Sequence, residues 1–199
     1  MEIELKYLAS QETAEKIFDE LGDRLTDEKH IPMEAVYYDT EDFQLRKVHV
    51  AVRVRREGEK MVATCKWGGG SKDGLHKREE VNVSLPIKDA PEQAYRDLFE
   101  GTPAYEVIGV DKPMVKLLEM RFDRTEYRLH GAHSISAISH DRGNIISGDK
   151  NIPISEMEIE LLEGNLSEIE KIGENLAEKY ELEPCNISKL ARGLANCKE

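Results

Sequence analysis

At 199 residues, 39% hydrophobic and 34% charged, the chain has the length and balance of one soluble domain, residues 1–199, with a core of its own. Its 40 acidic against 28 basic residues give a formal charge of −12, which argues against a nucleic-acid partner. No apolar run of about 18 residues and no signal-like opening is present, so a cytoplasmic protein without a membrane partner is expected.

The first residues set the pattern. Glu2, Glu4 and Lys6 alternate with Ile3, Leu5 and Tyr7, the period of a half-buried strand whose one face carries charges of both signs. Ser10 is the predicted N-cap of an amphipathic helix over 11–21, with Ala14, Ile17, Phe18 and Leu21 inward and Gly22 as its stop. A strand over 34–39 ends in the turn Tyr37-Tyr38-Asp39-Thr40. Over 50–56, Val50, Val52 and Val54 share one face, and Arg53 and Arg55 share the other with Ala51. Two arginines side by side repel unless an anion lies before them. The strand over 61–67 puts Thr64 and Lys66 together, and Gly68-Gly69-Gly70 reads as a flexible loop without P-loop spacing. Residues 75–85 place His76, Arg78, Glu80 and Asn82 on one face.

A helix is expected over 91–100, ended by Gly101-Thr102-Pro103. The strand over 116–130 carries Arg121, Arg124 and Arg128, and 134–146 reads as a hairpin with Asp141-Arg142-Gly143-Asn144 at its turn. Glu156, Glu158 and Glu160 then repeat the opening pattern with three carboxylates on one face. Ser167 is the predicted N-cap of a helix that Pro184 breaks, and a last short helix holds Ser188-Lys189-Leu190-Ala191-Arg192-Gly193. Cys65, Cys185 and Cys197 are an odd set without metal-ligand spacing, as free thiols in a reducing compartment would be.

Strands predominate and most connections look like hairpins, so the fold class is α+β, predominantly antiparallel β. Strand after strand shows one apolar and one charged face. Closing such a sheet with its apolar faces outward and covered by helices makes a barrel with a charged lumen. Clustered cations need an anion and clustered carboxylates need a cation, and a polyphosphate with Mg²⁺ or Mn²⁺ supplies both.

The blocks Glu2-x-Glu4-x-Lys6, Tyr37-Tyr38-Asp39-Thr40, Arg53-Val54-Arg55, His76-x-Arg78-x-Glu80, Phe122-x-Arg124-x-x-Tyr127, Asp141-x-Gly143, Glu158-x-Glu160 and Ser188-Lys189-x-x-Arg192-Gly193 stand in an order that resembles the CYTH domain, or triphosphate tunnel metalloenzyme, family. Within it, the chain is similar to the bacterial inorganic-triphosphatase branch. The resemblance, over about residues 2–194, implies an eight-stranded closed tunnel with helices outside and metal-dependent hydrolysis of inorganic triphosphate to pyrophosphate and phosphate. It implies Lys6, Arg53, Arg55, Lys66, Arg78, Arg124, Lys189 and Arg192 as phosphate contacts. Glu2, Glu4, Asp141, Glu158 and Glu160 are the implied ligands of Mg²⁺ or Mn²⁺, and Lys6, Glu4, Arg53 and Arg55 carry catalysis. Ala137 departs from the branch, where an acidic residue stands on the face of Asp141, and this weakens a second metal site. Family habit also suggests a homodimer, and the helical domain that often follows in this branch has no counterpart in these residues.

Arg121 and Arg128 are weighed as surface or structural residues, His76 as a polar contact, and Tyr37 and Tyr38 as packing at the rim. Substrate choice is expected from loops at 68–74 and 100–113. The alternatives are a class IV adenylate cyclase, a thiamine or nucleoside triphosphatase, and a non-catalytic polyphosphate- or nucleotide-binding module.

Overall fold

The computed structural model describes residues 1–86 and 88–196. Cys197 lies outside them. Its strands are β1 (Glu2–Leu8), β2 (Leu25–Asp39), β3 (Ala51–Glu57), β4 (Lys60–Lys72), β5 (Leu75–Leu85), β6 (Gln93–Ala94), β7 (Met114–His130), β8 (Ser134–Ser147), β9 (Lys150–Gly164) and β10 (Glu183–Pro184). Eight of them form a closed antiparallel ring in the order β1-β5-β4-β3-β2-β7-β8-β9, with β9 returning to β1. The ring is closed by strands from the two ends of the chain, through Glu4 opposite Glu160 and Lys6 opposite Glu158.

Turn chemistry joins neighbours. Between β4 and β5, Asp73 and Gly74 both take positive φ, 51° and 80°, the left-handed pair of a tight hairpin. Alternation then does the sorting. Leu5, Met157 and Ile159 point out of the ring and are covered by α1 (Gln11–Leu21) and α4 (Leu166–Tyr180) through Ile17, Ile169 and Leu176. On the opposite wall, Val52, Val54 and Cys65 are covered by the segment between β5 and β7, which contributes Phe99 and, from α3 (Pro103–Ile108), Ala104. Inside the ring a third apolar cluster of Tyr37, Leu118, Met120, Phe122 and Ile145 receives Leu190 and Leu194 of α5 (Lys189–Leu194). This short helix packs on half of the lumen and leaves the charged half open.

Several expectations change. Gly68-Gly69-Gly70 lies within β4, where the register slips between Trp67 and Gly70. Gly69 has φ 68°, and a Cβ there would meet the Lys77 backbone, so the run is a bulge that needs glycine. Residues 91–100 form β6 and a single 3₁₀ turn over Arg96–Phe99 instead of a helix. Gly101-Thr102-Pro103 starts α3, with Thr102 as N-cap and the proline in the first turn, where its missing N–H is harmless. Residues 134–146 belong to one continuous strand. The Asp141 to Asn144 stretch lies in its middle, and the turn comes later at Gly148. Asn165, two residues before Ser167, is the N-cap of α4, and the helix stops at Tyr180, with Glu181 in the left-handed region, before Pro184 joins β10. The strand expected over 34–39 is the end of the longer β2.

Candidate active site

The inward faces line a cavity of about 410 Å³ inside the ring. β1 contributes Glu2, Glu4 and Lys6, β3 contributes Arg53 and Arg55, and β4 contributes Lys66. β5 contributes Arg78 and Glu80, β7 Arg124, β8 Asp141, β9 Glu158 and Glu160, and α5 Lys189. The charged half of the tunnel therefore assembles all five expected metal ligands and seven of the eight expected phosphate contacts. Arg192 is the exception: it pairs with Glu156 and does not line the cavity.

Oppositely charged side chains inside the ring hold one another. Lys6 Nζ lies 2.9 Å from Glu158 and 3.2 Å from Glu4. Arg124 donates to both oxygens of Asp141 at 2.7 and 2.8 Å and to Glu158 at 2.6 Å. Lys189 Nζ is 2.9 Å from Asp141 and 2.7 Å from Glu158. Lys66 sits between Glu2 and Glu80, 2.6 Å from each. Burial opposes every one of these charges, and multiple charge-assisted hydrogen bonds are what offset it. Thus burial raises the Glu158 carboxyl, but Lys189, Lys6 and Arg124 together hold it well below the ordinary range. Glu80 behaves likewise: Lys66 and Arg53 outweigh burial and bring it to about 2.

Three groups are left unbalanced. Arg53 and Arg78 have no carboxylate at ion-pair distance among the described residues, and Arg53 Nε is buried without a hydrogen-bond partner. Glu160 has no basic partner at that distance either, and burial, with Glu4 and Glu80 nearby, raises its carboxyl. Burial also pushes Glu2 up to about 7, against the pull of Lys66 and with Glu4 and Glu80 adding to it. Tyr37 faces this cationic side, where Arg53 and Lys66 lower its phenol despite burial.

Among the described residues, no three His, Cys, Asp or Glu side chains stand grouped so as to hold a metal. The donor chemistry nonetheless fits a hard divalent cation. Glu2, Glu4 and Glu160 offer only oxygens; Glu4 repels the other two carboxylates and helps to raise them, and Glu160 is left uncompensated. Asp141 and Glu158 are more fully engaged by Arg124 and Lys189. Ala137 pairs with Glu160 across β8 and β9, so a methyl group stands beside the unbalanced carboxylate.

Other expected residues divide by face. Tyr37 enters the tunnel, while Tyr38 on the opposite face donates from its hydroxyl to the Pro91 carbonyl at 2.6 Å. His76 is buried and donates from Nε2 to the Cys185 carbonyl at 2.7 Å, as a structural contact would. Arg121 is exposed beside Glu119, and Arg128 does not line the cavity. Neither do residues 68–74 or 100–113; Glu57, Lys60 and Ser84 line it instead, at the end away from α5. Glu80, Tyr37 and Glu156 join the charged network beyond the expected set, and for Glu80 and Glu156 the signal was present as alternation with Arg78 and Glu158.

The sequence profile of the CYTH domain matches residues 1–194. The chain belongs to the CYTH domain family. An inorganic triphosphatase of Haemophilus influenzae is 30% identical over 193 residues, covering 96% of this chain and 54% of that protein. The chain thus spans about half the length of the curated relative it matches. Among solved structures, an adenylyl cyclase candidate from Hippeastrum, described as having a dominant triphosphatase activity, superposes with a TM-score of 0.74 at 21% identity, covering 100% of this chain and 98% of that one. An adenylate cyclase candidate from Bacillus halodurans gives 0.57 at 20% identity, covering 96% of each. Both likenesses establish the CYTH fold, a closed antiparallel tunnel.

Proposed function

We propose that this CYTH chain is a divalent-metal-dependent triphosphatase, acting on inorganic triphosphate to release pyrophosphate and phosphate. One observation carries the reading: among the described residues, a single cavity holds guanidinium groups without carboxylate partners, at Arg53 and Arg78, beside a carboxylate without a basic partner, at Glu160. Such a cavity is satisfied by a polyanion and a cation together. The likeness to the Haemophilus inorganic triphosphatase points the same way.

Arg53, Arg55, Arg78 and Lys66 would take the phosphate oxygens along β3, β4 and β5, with Lys6, Arg124 and Lys189 from the other wall. Their fixed charges lie where negative charge redistributes as the anhydride bond breaks, and they need no reorganisation at that moment. Glu2, Glu4 and Glu160 would hold Mg²⁺ or Mn²⁺, with Asp141 and Glu158 completing the set as their lysine and arginine partners turn to phosphate. When bound, the cation would supply positive charge that offsets the charge of the phosphate oxygens. The cavity's aromatic groups, Tyr37 and Phe122, belong to the buried cluster under α5, so among the described residues the other end offers no ring on which a base would stack. This favours a bare triphosphate over a nucleotide.

We further place the protein in the cytoplasm as one functional domain, with Cys65 and Cys185 as buried free thiols. No helix among the described residues is long and apolar enough to cross a membrane. The test is phosphate release from inorganic triphosphate, thiamine triphosphate and ATP, with Mg²⁺, Mn²⁺ or chelator, together with a cyclic AMP assay. Metal-dependent release, fastest from inorganic triphosphate and weakened in Glu160→Gln at limiting metal, is expected. Cyclic AMP without phosphate release, or triphosphate binding without turnover, would overturn it.

A further inference from the structure

Glu156 lies on the inward face of β9, two residues before Glu158, yet it is fully buried and does not line the cavity. Its carboxylate meets both basic residues of α5. Lys189 Nζ is 2.7 Å from one oxygen, and Arg192 donates to the other. The two bases are three residues apart and so share a side of the helix. Lys189, unlike Arg192, also reaches the cavity.

The rest of the grip on α5 is mostly apolar: Leu190 and Leu194 in the inner cluster, and Gly193 placed so close to Leu118 and Ile145 that a Cβ would stand 2.5 and 2.9 Å from their methyl groups. Apolar contact is non-directional and does not fix where an ammonium points. Asp141 and Glu158 do orient Lys189, but both line the cavity. A cation entering the site competes for them. Glu156 lies beyond its reach.

We infer that Glu156 is a positioning residue, fastening α5 through Lys189 and Arg192 so that the Lys189 ammonium keeps its aim at substrate phosphate when Asp141 and Glu158 are drawn to the metal. This rests on the triphosphate reading of the tunnel. A purely electrostatic role has the opposite sign: removing a negative charge beneath Lys189 strengthens the attraction for a polyanion.

The experiment is calorimetric titration with inorganic triphosphate, with chelator and with Mg²⁺, of the wild type, Glu156→Gln, Glu156→Asp, Arg192→Met, Lys189→Met and the Glu156→Gln/Lys189→Met pair. Glu156→Gln is expected to weaken binding on the order of tenfold, with Glu156→Asp recovering part of the loss and Arg192→Met shifting affinity the same way. In the Lys189→Met background the Glu156→Gln loss should fall below about twofold, a coupling that general destabilisation does not produce. Tighter or unchanged binding by Glu156→Gln, or the same loss with and without Lys189, would overturn the inference; if Glu156→Gln does not fold, Arg192→Met with and without Lys189 decides in its place. Absence of binding by the wild type would instead overturn the triphosphate reading itself.

Discussion

Adding one methyl group at Gly143 should disturb the tunnel more than its size suggests. Gly143 pairs with Phe122 across β7 and β8, and a Cβ there would overlap the Arg121 carbonyl oxygen and Phe122 Cα and stand 2.5 Å from Phe122 Cβ. Two of these three obstacles are backbone, so rotating a side chain gives no relief, and the two strands must part. Overpacking of this kind costs about 1–3 kcal/mol by itself. The next inward pair along the ladder is Arg124 and Asp141, whose two hydrogen bonds at 2.7 and 2.8 Å hold the buried carboxylate. Weakening a buried ion pair by disturbing one partner costs about 3–5 kcal/mol when complete, so a partial loss added to the overpacking puts Gly143→Ala near 4 kcal/mol. In urea, with a slope of about 2 kcal/mol per molar, the unfolding midpoint should fall by roughly 2 M. The control is Gly148→Ala, in the open turn at φ 57° with nothing within 4 Å of the new methyl, where only the left-handed backbone is penalised by about 1 kcal/mol. A midpoint for Gly143→Ala no lower than that of Gly148→Ala would refute the close-approach argument.

Three further outcomes follow from the charge pattern and from burial. Arg53→Ala should lower phosphate release by about 10²–10³-fold at only a modest cost in melting temperature, because no carboxylate among the described residues stands at ion-pair distance from its guanidinium and only its field on Glu80 and Tyr37 is lost; a large loss of stability would show that Arg53 is a structural cation. Glu160→Gln should need on the order of tenfold more Mg²⁺ for half-maximal phosphate release, with little effect on urea unfolding, since no ion pair is broken; an unchanged metal titration would remove Glu160 from the ligand set. Burial pushes the Cys65 thiol up to about 12. At pH 8 only about one molecule in 10⁴ then carries the reactive thiolate, so Cys65 should resist a disulfide reagent until the chain unfolds, and rapid native labelling mapped to Cys65 by mass spectrometry would contradict its place in the outer core.

The division of each strand into an outward apolar and an inward charged face was legible because period two is a property of the chain alone, and Arg53, Lys66, Arg78 and Glu158 all lie where their alternation put them. What alternation cannot supply is register. That Lys66 bridges Glu2 and Glu80, or that Glu158 takes three cations, depends on how strands slide, and the sequence carries no local sign of it. Glycines were misread for a related reason. Asp-Arg-Gly-Asn at 141–144 has the composition of a turn, but Gly143 serves close approach of two strands; the triple glycine at 68–70 serves a bulge against Lys77. The stretch 91–100 has helical spacing of Ala94, Leu98 and Phe99, yet Tyr38 anchors Pro91 and β6 pairs with β7, so tertiary contact overrides a short local preference.

The seam of the ring lies between β1 and β9, the first and last strands of the ring in chain order, and Glu2, Glu4, Glu158 and Glu160 flank it. Contacts so distant in sequence pay their loop-closure entropy late in folding. On the ribosome, the first strand must wait for the ninth before the ring can close, so β1 beside β5 and the hairpins of β3, β4 and β5 are free to form while the tunnel does not yet exist. The full set of carboxylates therefore faces one lumen only after the barrel has shut, and a nascent chain has no complete charged cavity before its synthesis has passed Glu160 and Lys189.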